Sequence, residues 1–456
     1  MTRPHLYDLT ISEASRLIHS KELSPVELTQ ACLNRIDQVD ERVQAWVTVV
    51  RETALRDAEA AEHSILHGES SSPLHGIPFG AKDLYYTAGI RTAGGSRIDA
   101  DFIPTEDAAV ITRLKSAGAI LLGKTTTTEY AFFGGVPPTR NPWNLNHTPG
   151  GSSSGSAAAL AASMAIFTLG TQTAGSLSRP ASYNGLTGLK PTYGRISKAG
   201  IMAGSWSLDH AAAFTRTVED AAMVLNVLAG PDRNDPATLD APVPDYTRAL
   251  EQDIGGKAIG IPDSFFFDDI DAETARAVDA ALEVLKSLGA RIVSVSLPPS
   301  FAQANIAHRV VMNCEAAAYH RDSYRNNADM YNPSLREMIE LGLLTPAADY
   351  LQAQRIRTVF REELSALLRQ IDILAAPSAP TPAPEGIAHT GSPVFNIPFT
   401  NAGVPTISIP VGFSQNTGLP VGLQMAARPL NEEVLISFGH AYQKVTDWHK
   451  TRPVLT

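Results

Sequence analysis

The 456-residue sequence contains only two cysteines, Cys32 and Cys314, far apart and in no metal-ligand spacing. Their scarcity excludes a disulfide framework and a cysteine-based structural zinc site, and it leads us to expect two buried thiols in a reducing cytoplasm. No uninterrupted apolar run reaches the roughly 18 residues that a membrane-spanning helix needs. The N-terminal MTRPHLYDLTISEASRLIHS lacks the apolar core of a signal peptide. Neither sign of charge gathers into a block: 37 basic residues stand against 47 acidic ones, a formal net charge of −10. That balance argues against nucleic acid or an anionic membrane surface as a partner and favours a small neutral or cationic substrate. The 12 histidines form no metal spacing. Internal repeats and disordered tails are also missing.

What the chain has is enough apolar residue, 44%, to build a large core. Residues 1–65 read as a helical layer: Ser24-Pro25-Val26-Glu27 combines an N-cap, a first-turn proline and a capping-box glutamate, and Leu28, Cys32, Ile36 and Val39 keep one apolar face. Helix and strand then alternate: a helix from Ala108 through Leu114, a strand at Ala119 to Leu122, a helix at Ala157 to Met164, a strand at Ile166 to Leu169. Thr217 with Asp220 caps a helix running to about Leu228, and a polar, proline-rich connection follows. Further strands are expected at Lys257 to Ile261, Arg291 to Val295, Thr406 to Val411 and Val421 to Ala426. Helices are expected through Val278, Leu282, Leu285 and Leu288, from Phe301 to about Leu368, and from Asn431 to about Val445. This order predicts the α/β class, one large α/β/α domain over 1–456 with a mixed central sheet covered by helices on both faces. Within it, 66–230 is the expected catalytic core, and 231–456 supplies the rest of the sheet and the substrate-pocket helices.

Two signatures fail on context. Gly118 to Thr125 matches the phosphate-loop pattern G-x-x-x-x-G-K-T, but its four middle residues are apolar and read as a strand, whereas a phosphate cradle is an exposed loop between strand and helix. Gly151 to Gly155 matches the G-x-S-x-G elbow with Ser153 at its tip, yet the polar loop Thr139 to Pro149 precedes it where the elbow needs a strand. An esterase using Ser153 therefore stays a secondary reading. GGSSSGS at Gly150 to Ser156 would alone read as a flexible linker. Its setting changes that, because GTQTAGS at Gly170 to Ser176 directly follows a strand, and HGIPFGAKD at His75 to Asp83 places one lysine in an otherwise small, apolar loop.

Together GIPFGAKD, AGAILLGKT, PGGSSSGSAAALAA, GTQTAGS, GLKPTYGRIS, SLDH with TRTVEDAA, VPTISIPVGF and GLPVGLQMAARP resemble the amidase signature family of serine amidohydrolases over nearly the whole chain. The resemblance implies a Ser-cisSer-Lys triad with Ser176 as nucleophile, Ser152 as the middle serine and Lys82 as the base. It also implies an oxyanion hole from the backbone N–H groups of Thr173, Ala174, Gly175 and Ser176. Chemistry agrees: a serine hydroxyl needs a base, the two serine loops GGSSSGS and GTQTAGS hold no histidine, and a lysine serves only when burial makes it neutral. No metal or cofactor is called for.

Two departures from the family pattern stand out. Gln172 occupies a position that is more often acidic, and Ser178 followed by Arg179 stands where an arginine is common two residues after the nucleophile. Gln172, with Ser153, is expected to support the GGSSSG loop by hydrogen bonds. SLDHAAAF at Ser207 to Phe214 lacks the usual Gly-Pro, and Asp209 and His210 are expected to anchor a loop. The substrate pocket is expected between Phe301 and Leu368, together with the proline-rich loop near Pro377. The resulting function is hydrolysis of a small, aryl or hydrophobic, non-peptide amide through an acyl-enzyme. The alternative is a glutamine-hydrolysing amidotransferase subunit, which would need partner chains and whose nucleophile loop matches less well than that of the broad-substrate amidases. The expected partner is the small amide itself, and a homodimer stays open.

Overall fold

Short apolar runs bounded by glycine, proline or a helix cap become the strands of one sheet. The computed structural model describes residues 5–69 and 72–455, and among these lie eleven strands: β1 (Trp46–Val49), β2 (Pro78–Lys82), β3 (Ile120–Thr125), β4 (Phe167–Gln172), β5 (Thr187–Lys190), β6 (His210–Thr215), β7 (Ala258–Pro262), β8 (Arg291–Val295), β9 (Ile373–Pro377), β10 (Thr406–Phe413) and β11 (Pro420–Ala426). Their order across the sheet is β1-β3-β2-β4-β6-β5-β10-β11-β9-β7-β8. Strands β3, β2 and β4 run parallel, as do β9, β7 and β8, and antiparallel pairings link these two groups. β1 closes one edge, antiparallel to β3.

Helices cover both faces: α1 (Ile11–His19), α2 (Pro25–Val43), α3 (Arg51–Leu66), α4 (Ala109–Ser116), α5 (Ser154–Ala161), α6 (Ser178–Asn184), α7 (Val218–Leu228), α8 (Ala272–Ser287), α9 (Phe301–Asn327), α10 (Pro333–Leu344), α11 (Ala347–Leu368), α12 (Ile397–Ala402) and α13 (Glu432–Val445). Coverage on both sides explains why the central strands β4 and β11 are buried at every position, while the edge strand β8 is largely open. The caps read from sequence form: Ser24 and Glu27 make a reciprocal capping box on α2, and the Thr217 side chain accepts from Asp220 N at the start of α7. Among the described residues no helix is long and apolar enough to cross a membrane.

Three expectations need correction. The N-terminal layer is not wholly helical, because Trp46–Val49 forms β1, pairing Trp46 with Thr125. GIPFGAKD is not a loop: Pro78–Lys82 is β2, buried between β3 and β4. Gly80 disguised it by lowering strand propensity, and a Cβ there would come within 2.9 Å of the Trp46 ring. Cys32 is buried as expected, whereas Cys314 is only partly so.

Candidate active site

Parallel pairing brings the motifs together. Lys82 ends β2 and Gln172 ends β4, its parallel neighbour, so the lysine and the GTQTAGS loop emerge at the same edge of the sheet. Helix α5 returns the chain into β4, which sets its N-terminus at that edge as well, where Ser153 Oγ donates to Thr171 O (3.2 Å) and accepts from Thr171 N (3.2 Å). Alanine, serine and glycine along α5 permit this close approach. A Cβ on Gly155 would lie 2.3 Å from Ala45 O and 2.4 Å from Thr126 N.

The Lys82 side chain is fully buried, with Nζ 2.7 Å from Ser152 Oγ, 2.7 Å from Thr171 Oγ1 and 3.1 Å from Ser153 Oγ. Burial pushes its pKa well below the ordinary lysine value, and the charge of Asp209 opposes that shift in part. A neutral amine suits the three partners, since it can donate two hydrogens and accept one. Ser153 already gives its own hydrogen to Thr171 O. In a neutral amine the lone pair is thereby left for the hydroxyl of Ser152 or of Thr171.

The GGSSSG loop is fixed, unlike a linker. Gly150 N donates to Thr148 Oγ1 (3.1 Å), Ser154 Oγ to Gly150 O (2.8 Å) and Asn184 Nδ2 to Pro149 O (2.7 Å). The Gly151–Ser152 peptide bond is cis. Ser152, Thr173, Ala174, Gly175 and Ser176 line one small cavity of about 20 Å³, and Lys82 joins them through its bond to Ser152 Oγ.

Gln172 does not support the GGSSSG loop. Its Oε1 accepts from Leu177 N and Ser178 N (both 2.9 Å), and its Nε2 donates to Thr400 Oγ1 (3.0 Å), which in turn donates to Ala174 O (2.8 Å). It therefore holds its own loop on both sides of Ser176. Ser153 ties the GGSSSG loop to Thr171, and further support comes from Arg179, whose role the sequence reading missed. Arg179 Nη2 donates to Gly151 O and to Thr390 Oγ1 (3.1 Å), and Nη1 donates to Gly391 O (2.8 Å). The signal lay in the sequence: an arginine three residues after Ser176 has a guanidinium long enough to cross to the other loop.

Asp209 anchors the turn before β6, accepting from Gly204 N (2.7 Å), Ser205 N (2.8 Å) and Thr173 Oγ1 (2.6 Å). His210 Nδ1 donates to Leu208 O (2.7 Å), and burial lowers the pKa of its ring. The large cavity, about 550 Å³, is not where the sequence placed the pocket. Tyr86, Tyr193, Lys198, Trp206, Asp235 and Tyr319 line it, and of these only Tyr319 comes from the Phe301 to Leu368 segment. Ala131 and Thr173 belong to both cavity walls. From the expected segment, Met312 of α9 reaches the serine-lined cavity, as do Thr390 and Pro393 from beyond the proline-rich loop. Around Met312, the side chains of Val311, Ala316 and Ala317 of α9 and Leu335, Met338 and Ile339 of α10 pack in a second core.

Lys124, the lysine of the phosphate-loop pattern, is buried in β3 and pairs with Asp83 at 3.4 Å while donating to Tyr85 O (2.6 Å) and Thr92 Oγ1 (2.7 Å). It has no free face for a phosphate.

Comparison with known proteins places the chain in a family. The family model described as Amidase matches residues 27–436. Proteins named as a subunit of glutamyl-tRNA(Gln) amidotransferase, from Carboxydothermus hydrogenoformans and a Roseiflexus species, are 39% and 40% identical, covering 99% of this chain and 100% and 99% of theirs. Among solved structures, a protein of a vestigial complex tied to the origins of an s-triazine catabolic enzyme superposes with a TM-score of 0.90 at 32% identity, covering 96% of this chain and 98% of that one. The peptide amidase of Stenotrophomonas maltophilia gives 0.86 at 31%, covering 97% and 98%. The corresponding glutamyl-tRNA(Gln) amidotransferase subunit of Thermotoga maritima gives 0.81 at 31%, covering 97% and 95%. With its fold, its gathered loops and a family match over most of its length, the chain belongs to the amidase signature family, whose hydrolases and amidotransferases act on carbon–nitrogen bonds.

Proposed function

We propose that this chain hydrolyses a carboxamide through an acyl-enzyme on Ser176. The observation that carries the reading is the fully buried Lys82 Nζ at 2.7 Å from Ser152 Oγ, behind a cavity wall that Ser152 shares with Ser176. Neutral Lys82 takes the hydroxyl proton of Ser152, and Ser152 takes that of Ser176 as Ser176 Oγ attacks the carbonyl carbon. The backbone N–H groups of Thr173, Ala174, Gly175 and Ser176 face the developing oxyanion, where losing one donor typically costs about 3 kcal/mol. As the C–N bond breaks, the relayed proton passes to the leaving nitrogen. Water then attacks the acyl ester and restores Ser176 by the reverse relay.

The relatives' names bear on which amide is cut. Identity of 39–40% over nearly full length to glutamyl-tRNA(Gln) amidotransferase subunits favours the side-chain amide of glutamine, with the released ammonia used by partner chains. This weighs against the sequence expectation that a broad-substrate amidase is the better match. The hydrolase acting alone on a small amide keeps its own support, since the peptide amidase superposes more closely than the amidotransferase subunit does, 0.86 against 0.81. The test is release of ammonia from L-glutamine and primary amides, of amine from aryl anilides and of alcohol from esters by the purified chain, with Ser176→Ala as control. Glutamine turnover would favour the amidotransferase reading, and anilide or simple amide turnover the stand-alone one. Activity surviving in Ser176→Ala would refute the mechanism.

A further inference from the structure

We propose that the large cavity beside the serines receives a neutral aromatic group carried on the amide nitrogen, so that the substrate joins a compact acyl group to a bulky aromatic amine. The inference rests on the reading of Ser176 as nucleophile and names the substrate class of its stand-alone form, because the ammonia released from a glutamine side chain would leave that cavity unused. The cavity at Ser152 and Ser176, about 20 Å³, has room for little beyond the reacting amide. Its neighbour, about 550 Å³, falls in the size range of small-molecule sites, and the two share Ala131 and Thr173 as wall. The bulk of a larger substrate thus has sheltered space next to the reacting bond.

The lining suits a flat, uncharged group. Tyr86, Tyr193, Trp206 and Tyr319 supply four rings. Trp206 and Tyr319 meet edge to face, 6.2 Å apart at 73°, yet stay 48% and 37% exposed, so both keep ring surface for a ligand. Tyr193 is held by its hydroxyl, which donates to Trp206 O (2.6 Å), and Lys198 Nζ stands 4.4 Å from its ring centre. Lys198 pairs with Asp235 at 3.5 Å, and Asp209 accepts from Gly204 N, Ser205 N and Thr173 Oγ1. With these charges matched inside the protein, the wall favours a neutral ring over an ionic group. The side of the amide follows from the proton path. Thr171 lines the large cavity, and its Oγ1 accepts from Lys82 Nζ at 2.7 Å. Lys82 and Ser152 return the relayed proton to the leaving nitrogen, so a substituent on that nitrogen lies toward the wall that Lys82 backs. The acyl group then lies toward Phe133, Met312 and Pro393 around the small cavity. Cleavage breaks the C–N bond, gives the proton to nitrogen and frees the amine into the large cavity. Water next converts the acyl ester into the free acid and restores Ser176.

The test compares two isomers, N-(2-naphthylmethyl)acetamide with the ring on nitrogen and N-methyl-2-(2-naphthyl)acetamide with the ring on the acyl side, against N-methylacetamide. All three release alkylamines, so the C–N step itself differs little among them. In the wild-type protein the nitrogen-side isomer is expected to show a kcat/KM at least about tenfold above both others. Trp206→Ala and Tyr319→Ala are expected to raise KM for that isomer with kcat kept, as loss of binding surface does. Ala203, partly exposed on the cavity wall, is the place to fill it: Ala203→Phe is expected to remove the preference while N-methylacetamide turnover stays unchanged. Calorimetric titration of Ser176→Ala reads binding without turnover, and only the nitrogen-side isomer is expected to bind. Equal or better use of the acyl-side isomer overturns the inference, as does a preference that survives Ala203→Phe, or binding of neither isomer. Because the isomers are compared in the wild type, the result stands even if a variant folds poorly. Turnover by Ser176→Ala would instead refute the nucleophile assignment itself.

Discussion

At Lys82, the burial that makes an ammonium ion expensive also favours the neutral amine, the form that can act as a base. The sign of the pH dependence follows. The folded-state pKa lies below the ordinary lysine value, so the competent neutral form is present above that depressed pKa and lost as pH falls through it. Activity is therefore expected to show an acid limb at pH values far below those at which an exposed lysine titrates. The nearby charge of Asp209 raises the Lys82 pKa, so Asp209→Asn is expected to move that limb to lower pH in a kcat/KM profile; an unmoved limb would argue against Lys82 as the titrating group. Lys82→Ala is expected to lower kcat by a factor of about 10² to 10⁴ or more, measured on whichever amide the substrate panel identifies. Gln172→Ala removes the acceptor of two buried backbone donors beside Ser176. Leaving each unsatisfied costs about 1–3 kcal/mol, so a lower melting temperature and a lower kcat are both expected, and an unchanged kcat would show that Gln172 does not hold the nucleophile loop.

Among the elements, α5 and β4 explain how two glycine- and serine-rich loops become one rigid site. The helix can lie on the sheet only because its first turn presents almost no side chain, so Gly155→Val is expected to disrupt folding, read as loss of soluble protein or of the thermal transition. Strand β3 carries a different load. Lys124 and Asp83 form a pair with side chains 0% and 1% exposed, and removing one partner of such a pair typically costs about 3–5 kcal/mol. Lys124→Ala should therefore unfold at much lower denaturant with no change in nucleotide affinity, since the wild type is expected to have none.

These elements also show what the sequence made legible. Long helices with caps, such as α2 and α7, and strands following a helix, such as β3 and β4, could be read because periodicity and capping act locally. β1 and β2 could not, because four residues between two helices and a strand interrupted by Gly80 owe their pairing to neighbours distant in sequence. The positions of Lys82, Ser152 and Ser176 were visible as motifs. The work of Arg179 and Gln172 was not, since a side chain's partners across two loops depend on tertiary placement.

For the whole molecule, the sheet sets a division of labour. The parallel group β3-β2-β4 aims its C-terminal ends at the site, while the chain from Phe301 onward, helices and strands β9 to β11 together, reaches the serine-lined cavity only at Met312, Thr390 and Pro393. The large neighbouring cavity instead belongs to the segment around Tyr193 to Asp235. If the chain works within an amidotransferase, purification from its native source should recover it with partner chains in stoichiometric amounts; a stand-alone hydrolase should elute as itself and turn over amide unaided. The most direct measurement of the central claim needs no knowledge of the substrate. The wild-type protein is treated with a fluorophosphonate and the modified residue located by peptide mass spectrometry, alongside Lys82→Ala. The account expects a single adduct on Ser176, formed far more slowly in the variant. An adduct on Ser153 or Ser152, or equal labelling without Lys82, would contradict it.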